Sequence, residues 1–331
     1  MRKRIYLDYA AATPVDSRVL SAMRPYFQKH FGNPSSLHAE GQKAAAALED
    51  SRRKLALFLG CSPQEIIFTS GATEANNLAI AGSVKGKKEA HIVVSAIEHE
   101  SVLEPCRQMQ EEGLAQITYV KPDKEGRIDP GDVEKSIKRN TCLVSIGYAN
   151  SEIGTVQDMA AIGEVCSRKG VPFHSDAVQA APYLPCQPGK LKVDLMTLSS
   201  HKIYGVKGAG LLFCRKGVEI RPSLFGGGQE GGVRSGTENV PAIVGFARAA
   251  ELIADPKVSI QTIPMRHMRD RILKEVPCRI PGAHVTGSMS HRLPNSASFW
   301  FEGVNGKTLA IALDLRGFCV SAGSACSERS S

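Results

Sequence analysis

Seven short apolar runs with helix-like stretches between them set the terms on which this chain can fold. They are EIIFTS (65–70), HIVVS (91–95), QITYV (116–120), CLVSIGY (142–148), VPFHSDA (171–177), DLMTLSS (194–200) and GLLFCR (210–215). Most lack the strict alternation of a strand with one wet face, so they read as strands buried on both faces. Between them, residues 42–59 are Ala/Leu-rich with charges on one face and are stopped by Gly60. Residues 157–169 form a similar pattern, stopped by Gly170. Alternating strand and helix predicts an α/β fold, a mostly parallel seven-stranded sheet with helices on both faces.

After about Asp255 the pattern changes. MRHMRDRILKEV reads as a helix, NSASFWF as a strand and KTLAIALDLRG as a helix, which suits a smaller α+β unit. The 331 residues are enough for one large domain plus a small one. The expected division is 16–255 for the large domain, with 1–15 and 256–331 forming the small one.

Hydrophobic residues make up 42% and charged residues 22%, ordinary for a globular protein. No apolar run approaches the roughly 20 residues that span a bilayer. The basic start MRKRIYLDYAAATP has no apolar segment behind it, so neither a membrane nor a secretory signal is expected. Nine cysteines are scattered without a CxxC pair, so no metal site or disulfide framework is signalled, and a reducing cytoplasm fits best. The net charge of +8 is dispersed, which reads as solvated surface rather than a nucleic-acid footprint.

In open α/β sheets ligands sit beyond the carboxyl ends of the strands, so the residues that follow each strand carry the chemistry. After EIIFTS, Ser70, Gly71, Ala72 and Thr73 would stand at a helix N-terminus. Free N–H groups there make an anion site, although a simple N-cap would use the same residues. VPFHSDA ends on Asp176, with Gln179 three residues on, and Asp176 would serve as a ligand carboxylate or as a helix cap. DLMTLSS leads into Ser199, Ser200, His201 and Lys202. A lysine directly after a buried strand is unusual, and burial makes its amine usable for Schiff-base chemistry. His99 follows the strand HIVVS and offers a flat ring for stacking. An anion cradle, a strand-end carboxylate, a strand-end lysine and a stacking ring together meet the needs of pyridoxal 5'-phosphate.

With these residues in view, the chain resembles the cysteine desulfurases of the NifS/IscS type, within the class V aminotransferase-fold enzymes. The matching stretches are YLDYAAATP (6–14), FGNPSS (31–36), FTSGATEANNLAI (68–80), EHES (98–101), SEIGTVQD (151–158), HSDAVQ (174–179), SSHKIYGVKGAG (199–210), GGGQEGGVRSGTENV (226–240) and VSAGSACS (320–327). The resemblance implies the PLP-dependent transferase (aminotransferase type I) fold. It implies that Lys202 holds the cofactor, that Asp176 partners the ring nitrogen and that Gln179 donates to the ring hydroxyl. His99 would stack on the ring and help move protons. Ala72, Thr73, Ser199 and His201 would cradle the phosphate, and Thr237 would reach a phosphate in a partner subunit, which implies a homodimer. Cys326 would be the sulfur-accepting nucleophile.

The implied reaction takes L-cysteine to L-alanine and leaves a persulfide on Cys326. Lys202 would remove the α-proton and the Cys326 thiolate would attack the substrate sulfur. Sulfur would pass to acceptor proteins such as an iron–sulfur scaffold or a tRNA-thiolation protein. Selenocysteine lyase or another class V enzyme is the enzymatic alternative, and a non-catalytic cofactor-bearing partner protein the other. Two departures stand out. Ser151 follows Asn150 where the family has a second asparagine, at a position near substrate. The sequence also ends five residues after Cys326, before the family's substrate-carboxylate arginine, which predicts an incomplete small domain.

Overall fold

The computed structural model describes residues 4–256 and 262–323. Its strands in chain order are β1 (Ile5–Tyr6), β2 (Ile66–Thr69), β3 (Ala90–Ser95), β4 (Ala115–Val120), β5 (Thr141–Ser145), β6 (Phe173–Asp176), β7 (Leu195–Ser199), β8 (Gly210–Cys214), β9 (Ala283–Val285), β10 (Phe299–Phe301) and β11 (Phe318–Cys319). All seven apolar runs become strands of one seven-stranded sheet, ordered β2-β8-β7-β6-β5-β3-β4. β3 to β7 run parallel, while β8 is antiparallel to both of its neighbours, β2 and β7.

The absence of alternation in these runs has a direct cause. Ile92 and Val94 of β3 enter one apolar core, and Val93 between them enters another. Ile67 and Leu212 likewise face the first core, and Phe68 and Leu211 the second. Each central strand is therefore covered on both faces. The first core is shared with helices Ala72–Val84 and Glu100–Glu111, the second with helices Ala39–Leu59, Met159–Lys169 and Val240–Ala254. β4 lies at one edge, and only its first and last residues, Ala115 and Val120, are buried.

Both predicted glycine stops hold. Gly60 and Gly170 cap their helices with φ of 65°, a left-handed conformation that costs a glycine little. The first of these helices begins at Ala39 rather than 42, with His38 capping the Gly41 N–H, and the second begins at Met159 behind the Asp158 cap. The later residues form helices Thr262–Arg279 and Gly306–Leu315 and the antiparallel pair β9–β10. The expected strand NSASFWF shrinks to Phe299–Phe301. β1 pairs in parallel with β11, so the start of the chain lies beside residues 318–319.

One buried ion pair fixes the glycine-rich segment 226–239 to the sheet. The Glu230 carboxylate, with its side chain only 1% exposed, accepts two hydrogen bonds from the Arg52 guanidinium, at 2.7 and 2.9 Å, and one from the Phe68 N–H at 2.9 Å. Arg52 also lies over the Phe68 ring, 4.6 Å from its centroid. A bidentate pair with its remaining lone pairs satisfied is the form in which burial of charge is tolerated.

Candidate active site

A cavity of about 400 Å³ opens at the carboxyl ends of β2, β3, β5, β6 and β7. Lys207 and Gly208 close it where the chain enters the reversed strand β8. This is the position at which open α/β sheets bind ligands, and the volume suits a small organic cofactor.

At one end stands the N-terminus of helix Ala72–Val84. Ser70, Gly71, Ala72 and Thr73 line the cavity there. The Ser70 N–H is taken by Glu74 Oε2 at 2.7 Å, and Glu74 Oε1 is bound by Arg234 Nε at 2.7 Å. The N–H groups of the first helical turn, at Ala72 and Thr73, have no intrahelical acceptor and are the donors left for an anion. Gly210 approaches this turn so closely that a Cβ on it would lie 2.6 Å from the Gly71 carbonyl carbon. His201 joins the wall, its Nδ1 paired with Ser199 Oγ at 2.8 Å. Burial pushes the His201 imidazole down to about 4, and Lys202 and Lys207 add to this, so it is neutral at pH 7. Ser199 is buried behind His201 and is not part of the cavity wall. Lys207, which sequence reasoning did not single out, adds a cationic side chain on the same side.

Asp176, His99, Lys202 and Gln179 line the rest of the wall. Asp176 closes β6, and both of its oxygens are fixed. Oδ1 accepts the Val178 N–H at 2.9 Å, and Oδ2 accepts Asn76 Nδ2 at 2.8 Å. The cap reading and the ligand reading of Asp176 are thus compatible, since each carboxylate oxygen keeps a second lone pair. His99 is the N-cap of helix Glu100–Glu111 and lines the cavity together with Lys202. Lys202 follows β7 in a short 3₁₀ turn, and its Nζ donates to the carbonyls of Ala11, at 2.8 Å, and Ala10. Gln179 Nε2 donates to the same Ala10 carbonyl at 3.0 Å. Residues 10–11 therefore fold across the site and hold its lysine and glutamine by backbone oxygens, a role that no side-chain pattern signals.

Asn150 and Ser151 both line the cavity. The Asn150 amide is engaged in shaping its own loop. It donates to the Ile97 carbonyl at 2.8 Å and accepts the N–H groups of Glu152 and Ile153. Thr237 stands elsewhere. It is exposed and borders a second, smaller cavity with Tyr26, His30 and Phe31. Cys326 lies outside the described residues.

Glu98 is the buried acid that sequence reasoning missed. Its carboxyl lines the cavity and accepts the Gly147 N–H at 2.7 Å. Burial pushes it up from 4.5 to about 8, and the nearby Asp176 charge also raises it. The folded protein thus holds a proton on Glu98 that the unfolded chain releases, and stability falls as pH rises between about 4.5 and 8. Gln in place of Glu98 imitates the protonated form. The Glu98→Gln protein is expected to be more stable than wild type by a gap on the order of a few kcal/mol that opens across this window and is absent below it. Melting temperature followed against pH checks this, and parallel curves for the two proteins would refute it.

The buried thiols are quiet by comparison. Burial pushes Cys61, Cys106, Cys166 and Cys186 up to about 12, leaving them protonated and unreactive.

The donor set fits pyridoxal phosphate in each part: first-turn N–H groups and lysine for a phosphate, a fixed carboxylate for a ring nitrogen, an imidazole for stacking, and an amine for a carbonyl.

Known proteins share this arrangement of sequence. A family profile described as aminotransferase class-V matches residues 5–331. A cysteine desulfurase IscS of Dictyoglomus turgidum is 43% identical over 335 residues, covering 100% of this chain and 84% of that relative. A solved structure described as a NifS-like protein superposes with a TM-score of 0.91 at 39% identity, over 96% of this chain and 87% of that one. Another, described as SspA in complex with cysteine, gives a TM-score of 0.86 at 36% identity, over 98% and 91%.

Proposed function

This chain belongs to the class-V aminotransferase family, as a pyridoxal-phosphate enzyme of its cysteine desulfurase branch, and on that premise we propose how its residues divide the work. The single observation that carries the proposal is the convergence of Lys202, Asp176, His99 and the Ala72–Thr73 turn on one cavity at the sheet's carboxyl edge.

When bound, the cofactor supplies an electron sink for the bonds that break at the substrate carbons. Ala72 and Thr73 donate their N–H groups to the phosphate, with His201 and Lys207 beside them and Ser199 holding the His201 ring. Asp176 holds a proton at the ring nitrogen, Gln179 donates to the ring hydroxyl, and His99 covers the ring face. Lys202 would hold the cofactor through Nζ, and the same amine would take the α-proton of the substrate. The carbonyls of Ala10 and Ala11 are placed to receive the ammonium that results. Asn150 and Ser151 border the substrate. Cys326 attacks the substrate sulfur as a thiolate; the new S–S bond forms as the C–S bond breaks, the C–S electron pair stays with carbon, and protons, one of them returned from Lys202 Nζ, complete alanine. The buried thiols, which burial holds protonated, are poorly suited to that role.

Thr237 completes the phosphate cradle of a second copy of the chain. Support comes from its exposure on an anchored loop outside its own cavity, and from exposed Phe27, Phe31 and Leu37 on the neighbouring segment. The large and small domains divide as 16–255 against 1–15 with 256–331. Sulfur leaves to an acceptor protein, an iron–sulfur scaffold or a tRNA-thiolation protein. Among the described residues no helix is long and apolar enough to cross a membrane, and the described cysteines are free, which supports a reducing cytoplasmic setting.

Incubation of the protein with pyridoxal phosphate and L-cysteine tests the reading. Alanine and sulfide are expected in equal amounts in the presence of a reducing thiol. Release of selenide from selenocysteine with no sulfide from cysteine would assign a lyase instead, and a bound cofactor with no turnover of either would assign a non-catalytic partner.

A further inference from the structure

Behind the cavity wall, a continuous chain of hydrogen bonds joins Asp176 to His99. Asn76, fully buried on helix Ala72–Val84, donates from Nδ2 to Asp176 Oδ2 at 2.8 Å and to Ser101 Oγ at 2.9 Å. Ser101 Oγ lies 2.8 Å from His99 Nδ1, and the Ser101 N–H donates to that same nitrogen at 3.0 Å. The direction of every proton follows from the fixed ends. A carboxylate only accepts, so the Asn76 atom facing Asp176 is the NH₂ group. An NH₂ group only donates, so the Ser101 oxygen accepts from it. A backbone N–H only donates, so His99 Nδ1 carries no proton, and the Ser101 hydroxyl proton must point at it.

We propose that Asn76 and Ser101 are positioning residues that lock His99 in the tautomer protonated at Nε2 and hold Asp176 in place for the ring nitrogen, so that one side-chain relay sets both groups that face the cofactor. His99 then meets ring and substrate as a hydrogen-bond donor through Nε2. A second proton at Nδ1 would face the Ser101 N–H, break that contact and force the Ser101 hydroxyl to turn from donor to acceptor. The charged and titratable groups that share the cavity with His99 are Glu74, Glu98, Asp176, His201, Lys202 and Lys207. Neither relay residue was singled out by sequence, because Asn76 lies behind the wall and Ser101 reads as an ordinary first-turn serine. The inference rests on the pyridoxal-phosphate reading for its consequence, although the tautomer is a property of the protein alone.

The test uses protein with ¹⁵N-labelled histidine, with and without pyridoxal phosphate. Wild type is expected to show His99 protonated at Nε2 in both states. Ser101→Ala removes the hydroxyl donor to Nδ1 and leaves the backbone N–H, so the form protonated at Nδ1 should rise several-fold from a small minority, and kcat on cysteine should fall about ten-fold with KM nearly unchanged, the scale of a lost outer-shell partner. Ser101→Thr, which keeps the hydroxyl, should restore both. In Asn76→Ala the visible band of the bound cofactor should titrate with a midpoint displaced by on the order of half a pH unit, since Asp176 has lost a donor. The proposal is overturned by a wild-type His99 protonated at Nδ1, by an unchanged tautomer in Ser101→Ala, or by an unchanged cofactor titration in Asn76→Ala. A wild type that binds no pyridoxal phosphate overturns the functional reading instead, and the cofactor-free spectra still decide the relay.

Discussion

Replacing Lys202 by alanine is expected to remove the visible absorbance of lysine-bound cofactor and to lower desulfurase activity by about 10²–10⁴-fold, the usual contribution of a positioned proton-transfer group. The amine sits at the end of a buried strand, in a 3₁₀ turn, and is aimed into the cavity by two backbone carbonyls. Alanine there leaves the phosphate cradle, Asp176 and His99 intact, so the variant should still bind the cofactor, but non-covalently. Borohydride should fix cofactor to wild type and not to the variant. Lys207 lines the same cavity and is the control: Lys207→Ala should weaken cofactor binding while keeping the reducible band. A borohydride-reducible band in Lys202→Ala at wild-type strength would sink the assignment.

Cys326→Ala is expected to keep the cofactor band and to lose sulfide release from cysteine, again by about 10²–10⁴-fold. The loss should be in kcat, since the thiol acts on bound substrate and has no part in the cradle. The chemistry demands a thiolate, and an ordinary thiol near pH 7 supplies only a few per cent of it. The buried thiols in the described part of the chain supply far less. Mass spectrometry after a single turnover should find one added sulfur on the peptide that contains Cys326. Full turnover by the variant, or an added sulfur on another cysteine, would show that a different residue takes the sulfur.

The sheet was legible in the sequence because burial on both faces writes itself as an unbroken apolar run. The direction of β8 was not read, yet a signal was present. Residues 200–209 join β7 to β8, and a parallel connection needs a dozen or more residues with a crossover helix, so a stretch this short turns the chain back. Among site residues, Ala72, Thr73, Asp176, Gln179, His99, His201 and Lys202 follow or flank strand ends, and all but Ser199 and Thr237 of the predicted cradle line one cavity. What escaped notice depends on contacts between distant parts of the chain. The Ala10 and Ala11 carbonyls are backbone atoms that any residue would offer. Glu98 looks like a surface acid until the Gly147 loop closes over it. Asn76 shows its purpose only when β6 and helix Glu100–Glu111 bring Asp176 and Ser101 to either side of its amide.

The pairing of β1 with β11 has a consequence for the order in which the molecule is made. Residues 5–6 emerge from the ribosome long before their strand partners, residues 318–319. The seven-stranded sheet, its helices and most of the cavity wall can form before that strand exists. Closing a loop of nearly the whole chain is entropically dear for a pair of two-residue strands, so this closure comes late and needs the folded sheet as its template. The Ala10 and Ala11 carbonyls do not depend on that clasp, because Gln179 and Lys202 hold them and Thr13 beside them bonds to His201 and Tyr204, all present before β11 is made. Cofactor capture by the growing chain can therefore precede the β1–β11 clasp, none of whose residues lines the cavity.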